Sequence, residues 1–341
     1  MIDLLAVQGK VLDGFRAPLL AGLIAMAVSW LLTPVVRNFA IKKGAVDDPK
    51  RDDRRIHKEP LPRWGGLAIY AGIAIALLVI LPFAFPESKP FPNYLIGMLV
   101  LGALLVFVGA LDDLYQYSAK LQALLLLGAG VAIQFFEGPV GQVQIKSLAI
   151  PLTTPTQYWV LGALAIPITA IYIFVVTKTM DTIDGVDGLA SGIATISAAT
   201  LMVIAVYGEQ PRVAIIAAAI AGASVGFLKH NYNPAKIIMG TGGAYILGFM
   251  LACASIVGAL KTAAFISLLL PVFVFGVPIF DAFFVVIRRL LSGQPITQAD
   301  KRHVHHTLLG KGLSQRQTVW VLYAVAAVLC GVLLILVKQN A

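Results

Sequence analysis

Residues 157–207 read QYWVLGALAIPITAIYIFVVTKTMDTIDGVDGLASGIATISAATLMVIAVY, two apolar runs enclosing Lys178, Asp181, Asp184 and Asp187. Each run approaches the roughly 20 residues that a helix needs to cross the hydrocarbon core of a bilayer. The charges are confined to the gap between them. A soluble fold has no need of full-length apolar runs divided in this way, so the stretch predicts two membrane helices with chemistry at one surface.

The pattern repeats along all 341 residues. Apolar runs centred in 17–37, 66–85, 94–111, 119–136, 157–177, 188–207, 212–228, 243–260, 262–287 and 317–338 give ten expected spans, with boundaries good to about 2–4 residues. The composition agrees: 59% hydrophobic, 13% charged, mean hydropathy +0.86. Backbone groups in lipid must be satisfied within each span. The expected fold is therefore an all-α polytopic membrane protein of about ten helices, a single domain over 1–341. The first run lacks a basic stretch before it and a small-residue cleavage site after it, so it reads as a retained helix rather than a signal peptide.

Orientation follows from charge. Of the 26 Lys and Arg residues, 19 lie in or at the edges of the gaps after spans one, three, five, seven and nine. The positive-inside rule makes these gaps cytoplasmic and, with an even number of spans, both termini external, in a bacterial plasma membrane. The net charge of +9 is accounted for by topology and anionic lipid headgroups, which excludes nucleic acid as the expected partner. Cys253 and Cys330 sit inside apolar runs with no metal-ligating companion at a useful spacing and read as packing residues. The segment 137–156 has the β-branched, Pro-containing look of a small hairpin or turn outside the membrane.

The odd-numbered gaps carry the chemistry. The first, GAVDDPKRDDRRIHKEPLPRWGG (44–66), places Arg54, Arg55, His57 and Lys58 beside Pro60, Pro62 and a Gly65-Gly66 pair. It reads either as a cationic lip suited to phosphates or as a plain anchoring loop. GALDDLYQYSAK (109–120) puts Asp112 and Asp113 at a helix C-terminus, where acids oppose the helix dipole. Adjacent helical residues point about 100° apart, so one carboxylate can face a cleft and hold a metal or proton while a basic group holds the other. The alternative is a solvated helix end.

In TKTMDTIDGVDGLASG (177–192), Lys178, Asp181, Asp184 and Asp187 recur every third residue, forming a stripe with the means to hold Mg²⁺ and phosphate oxygens; the alternative, a simple acidic connector, has no need of a fixed interval. The fourth gap offers Lys229, His230, Asn231, Asn233 and Lys236, then Gly240-Thr241-Gly242-Gly243, either an anion-binding helix start or a tight turn. The fifth holds Lys301, Arg302, His303, His305 and His306, which lack the matching ligand of a closed zinc site and suit hydrogen bonds to phosphate. Asp281, the acid well inside a span, reads as functional or as a bridge between helices.

Taken together, these five motifs in this order resemble the polyprenyl-phosphate N-acetylhexosamine-1-phosphate transferase family, over nearly the whole chain. The HVHH form (303–306) is more similar to the N-acetylglucosamine branch than to the muramoyl-pentapeptide branch. The resemblance implies a cytoplasmic cleft in which a polyprenyl (undecaprenyl) phosphate attacks the β-phosphate of a UDP-N-acetylhexosamine, most simply UDP-N-acetylglucosamine, with Mg²⁺ or Mn²⁺ present. It implies catalytic roles for Asp112, Asp113 and Asp184, and metal ligation by Asp112, Asp184 and Asp181. Substrate binding is implied for Lys58, Lys120, Lys178, Asp187, Asn231, Arg302, His303, His305 and His306. Membrane lipids are expected partners, and a homodimer is compatible with the sequence.

The chain departs from the family pattern where Lys178 and Asp181 replace two asparagines, in the length of its first loop, and at Thr241, where relatives carry a metal-binding aspartate. Asp181 is a candidate to restore the missing carboxylate. The competing expectation is a non-catalytic lipid-carrier binder or scaffold that has lost its metal site; a transporter fits less well, because transport sites lie near the bilayer midplane.

Overall fold

The computed structural model describes residues 2–47, 59–88, 90–149, 157–259, 273–291 and 303–340. Helices dominate: α1 (Ile2–Lys43), α2 (Gly65–Ala84), α3 (Asn93–Tyr115), α4 (Ala119–Ala132), α5 (Ala165–Ile183), α6 (Leu189–Tyr207), α7 (Pro211–Asn231), α8 (Gly240–Ala259), α9 (Gly276–Leu291), α10 (Val304–Gly310) and α11 (Gln315–Asn340). Eight helical stretches among the described residues are long and apolar enough to cross a membrane, and the fold is that of an all-α polytopic membrane protein.

Local chemistry sets the helix ends. Ser118 caps α4 by accepting from Leu121 N, Pro211 opens α7, and α3 stops where Gln116 turns left-handed at φ 53°. Ser314 and Gln317 form a reciprocal capping box at α11, Gln317 N donating to Ser314 Oγ and Ser314 N to Gln317 Oε1.

Two expected spans take a different form. The fourth is short, α4 giving way to a tighter 3₁₀ turn over Ile133–Phe135. The fifth starts later than its apolar composition predicts. Tyr158–Val160 is a strand, β4, paired antiparallel with β3 (Ser147–Ala149), and α5 follows a 3₁₀ turn. Aromatic and β-branched residues favour that pairing, and it supplies the hairpin expected before span five. The ninth span falls partly on residues outside the described set; its described part is α9.

At the centre lies α8, almost wholly buried against α2, α3, α5, α6 and α7, whereas α1 and α11 present much of their surface outward. Glycines bring the central helices together near the end where α8 begins. A methyl group on Gly66 would lie 2.3 Å from Gly243 N, and one on Gly109 would lie 2.3 Å from Gly242 Cα. Backbone therefore packs on backbone where α2 and α3 meet α8, and these contacts position the acidic residues that follow Gly109.

Candidate active site

The described flanks of the gaps after α1, α3, α5, α7 and α9 converge at the end of the bundle where α8 starts. A two-residue strand pair joins the flanks of the first gap, β1 (Val46–Asp47) with β2 (Leu61–Pro62). Pro62 O then accepts from Ile238 N, and Gly65 N donates to Ile238 O, so the first and fourth gaps lie side by side.

Asp113 occupies the junction. Its side chain is fully buried, and its Oδ1 accepts from Arg63 Nη1 at 2.9 Å and from Thr241 N at 3.1 Å. Arg63 Nη2 reaches Asp47 Oδ1 at 2.8 Å. Of the two readings left open for the glycine-rich turn, the backbone N–H at the start of α8 does engage a carboxylate, and it is the chain's own Asp113. Gly240 makes this approach possible: it adopts φ +71°, and a Cβ there would sit 2.3 Å from Asp113 Oδ2. Among the described residues that oxygen has no hydrogen-bond partner.

Asp112 is held differently, although it too is buried. Its Oδ1 accepts from Tyr117 N at 2.7 Å and, with Oδ2, from Gln122 Nε2 at 3.1 Å. Gln122 Oε1 accepts from Lys178 Nζ at 2.8 Å, and Lys178 Nζ also contacts Asp181 Oδ2 at 2.7 Å. The two carboxylates therefore divide as their 100° separation predicts, one beside a guanidinium and the other beside an amide. Lys120 is exposed at the start of α4.

Beyond the end of α5, Asp184 is crowded. Desolvation, then the charges of Asp181 and Asp113, push its carboxyl well above the usual carboxylate range, with Arg63 opposing and Asp187 adding to the rise. Asp187 Oδ2 accepts from Asn233 Nδ2 and Ala235 N, joining the third and fourth gaps. Asn231 is committed within the scaffold: its Oδ1 accepts from Gly188 N and Ser191 Oγ, and its Nδ2 donates to Ile237 O. Its buried side chain shapes the turn after Asp187.

The histidines complete the circle. Asp281 Oδ2 lies 2.9 Å from His303 Nδ1, and its Oδ1 accepts from Val304 N at 2.7 Å, so the intramembrane acid is the helix bridge, capping α10. His305 is buried, stacked on His303, with Nε2 3.3 Å from where a Cβ on Gly185 would stand. The histidine segment therefore covers the turn between Asp184 and Asp187. Burial, with the neighbouring His306, lowers the His305 pKa to about 4 despite Asp281. Lys58 and Arg302 lie outside the described residues.

Among the described residues no three His, Cys, Asp or Glu side chains gather at one metal-binding point. The charge nevertheless fits a divalent cation: a raised Asp184 beside Asp181 and Asp187, and an orphaned Asp113 oxygen. Mg²⁺ commonly takes one or two carboxylates, with waters and substrate phosphates completing its shell. Arg63 and Gln122 escaped the sequence reading. Arg63 sits among many loop cations, and a lone glutamine carries no charge signal.

A helical bundle built for a membrane that gathers carboxylates, cations and glycine turns at one end belongs to the class of polytopic membrane proteins with a phosphate-handling site at one surface. Residues 95–259 match glycosyl transferase family 4. The probable undecaprenyl-phosphate N-acetylglucosaminyl 1-phosphate transferase of Bacillus subtilis is 35% identical over 306 residues, covering 89% of this chain and 81% of the relative. The decaprenyl-phosphate N-acetylglucosaminephosphotransferase of Mycolicibacterium smegmatis is 33% identical, covering 89% and 78%. The undecaprenyl-phosphate alpha-N-acetylglucosaminyl 1-phosphate transferase of Escherichia coli is 26% identical, covering 87% and 77%. The chain belongs to this family, that of the polyprenyl-phosphate N-acetylhexosamine-1-phosphate transferases.

Proposed function

We propose that the protein transfers N-acetylglucosamine 1-phosphate from UDP-N-acetylglucosamine to a polyprenyl phosphate, releasing UMP and starting assembly of a cell-wall or surface glycan. The observation that carries the proposal is the convergence of Asp112, Asp113, Lys178, Asp181, Asp184, Asp187 and His305 at one end of the bundle. The relatives favour this reading over a non-catalytic lipid-carrier binder.

An acceptor phosphate oxygen attacks the β-phosphorus of the donor, and the bond from that phosphorus to the oxygen bridging it to the α-phosphate breaks, so UMP leaves with the bridging oxygen. A phosphate monoester has a second pKa near about 6 and is largely dianionic at neutral pH. The attack therefore needs little help from a strong base, and the main demands are alignment and charge neutralisation. Lys58, Lys120, Lys178 and Arg302 supply positive charge for the two phosphate groups. Asp112 takes any remaining acceptor proton at a carboxylate oxygen. Asp187 and His303, His305 and His306 border the nucleotide-sugar end.

Mg²⁺ or Mn²⁺ held by Asp112, Asp184 and Asp181 would neutralise phosphate oxygens when bound. The ion pair with Lys178 offsets the charge of Asp181 but engages Oδ2 alone, so the proposal that Asp181 stands in for the aspartate missing at Thr241 rests on its other oxygen. The odd-gap end is assigned to the cytoplasm, with both termini outside. A donor labelled with ³²P at the β-phosphate tests the transfer. Label should pass to the organic-extractable lipid only when polyprenyl phosphate is present; label that stays aqueous with every UDP-N-acetylhexosamine would reject it.

A further inference from the structure

We propose that Gln122 is a positioning residue that orients the Asp112 carboxylate and couples it to the positive charge of Lys178. Three helices contribute: Asp112 from α3, Gln122 from α4 and Lys178 from α5. The orientation of the amide is dictated by its neighbours. An ammonium only donates, so Lys178 must face Oε1, at 2.8 Å. Nε2 is then turned toward Asp112, 3.1 Å from each carboxylate oxygen, and toward Tyr117 O at 3.4 Å.

The consequence is a hydrogen-bonded chain running Asp181, Lys178, Gln122, Asp112. The ammonium stabilises the Asp112 charge without direct contact. A direct Lys178–Asp112 pair would occupy the carboxylate with a cation; an interposed neutral amide holds it in place through one N–H shared between its two oxygens, while its remaining lone pairs stay open to a ligand. Asp113, by contrast, has Arg63 directly against it. Gln122 thereby separates the tasks of two adjacent aspartates.

A simple interhelical strut would satisfy the same contacts, and the two roles respond differently to substitution. Gln122→Glu keeps the shape of the side chain and its acceptor for Lys178, but turns the donor facing Asp112 into a second negative oxygen. Gln122→Met keeps volume and loses both hydrogen bonds. A strut predicts that the Glu variant is the more active of the two. Positioning predicts that it is the less active, with kcat lowered about 10–100-fold, the usual scale for groups that orient a working ligand, and KM for the UDP-sugar little changed.

The inference rests on the proposed role of Asp112, so kcat and KM are measured at pH 7.5 for Gln122→Glu, Gln122→Met, Lys178→Met, the Gln122→Met/Lys178→Met double variant and Asp112→Asn. The expected result is an inactive Asp112→Asn, a Glu variant below the Met variant, and a double variant no worse than its poorer single. A Glu variant at or above the Met variant, or fully additive losses in the double, overturns the role of Gln122 while leaving the function intact. An Asp112→Asn protein with native turnover overturns the reading beneath it.

Discussion

Replacing Arg63 with Met would leave the buried Asp113 carboxylate facing a thioether. The Asp113 side chain is 0% exposed and that of Asp47 7%, and the guanidinium reaches them at 2.9 and 2.8 Å. Removing one partner of a buried ion pair costs about 3–5 kcal/mol, because the remaining charge is left desolvated. Asp113 retains the bond from Thr241 N and Arg63 is itself 21% exposed, which places the expected cost near the lower figure, about 3 kcal/mol. Unfolding in mixed detergent micelles measures it. Adding Asp113→Asn to Arg63→Met removes the stranded charge and should recover about 1–2 kcal/mol. Arg63→Lys should fall between, since a single ammonium cannot match a fork bonded to two carboxylates. A loss below about 1 kcal/mol, the range of exposed pairs, or a double variant no more stable than Arg63→Met, would refute the assignment of Arg63 as the counter-ion that holds Asp113.

Gly109→Ala puts a methyl group 2.3 Å from Gly242 Cα, and should destabilise the protein by about 1–3 kcal/mol while disturbing activity through the displaced Asp112 and Asp113; native stability and turnover would show that α3 and α8 do not meet there. Asp184→Asn removes a carboxyl raised by desolvation and its acidic neighbours, so the melting temperature in chelator should rise even as turnover collapses. His305, lowered to about 4, contributes stability that is present above the unfolded histidine value of about 6.5 and is lost as pH falls toward 4. The loss of thermal stability between pH 7.5 and pH 5 should be smaller in His305→Gln than in the parent, and an unchanged pH dependence would contradict its buried, neutral state. Because Cys253 and Cys330 are both buried, single cysteines report sidedness. Arg16→Cys should react with an impermeant maleimide from outside intact cells and Lys120→Cys only after the membrane is opened; the reverse pattern would invert the orientation.

Periodic apolar length made the bundle legible in the sequence, and the spacing of Asp112, Asp113, Lys178, Asp181, Asp184 and Asp187 made the acidic centre legible. Hydropathy could not separate strand from helix at Tyr158–Val160, where aromatic and β-branched residues are apolar in either state. Partners distant in sequence were also hidden. Asp281 advertised itself as an acid in an apolar run, but its engagement with His303 and Val304 across 22 and 23 residues follows from the return of the chain to α9. Asn231 stands among polar residues near a glycine turn, and its bonds to Gly188 and Ser191, 40 or more residues away, could not be read from that setting. Gln122 left no trace in charge or spacing, since an amide becomes informative only once a lysine and an aspartate are seen on its two sides.

Phosphoglycosyl transfer at this end of the bundle is read out as UMP release from purified protein in detergent. UDP-N-acetylglucosamine is supplied with and without polyprenyl phosphate, with and without Mg²⁺, for the parent and Asp112→Asn. UMP should appear only with both the lipid and the cation, and should disappear in the variant. Parent protein that releases no UMP from any UDP-N-acetylhexosamine under these conditions, or a variant that matches its parent, would contradict transfer at this site.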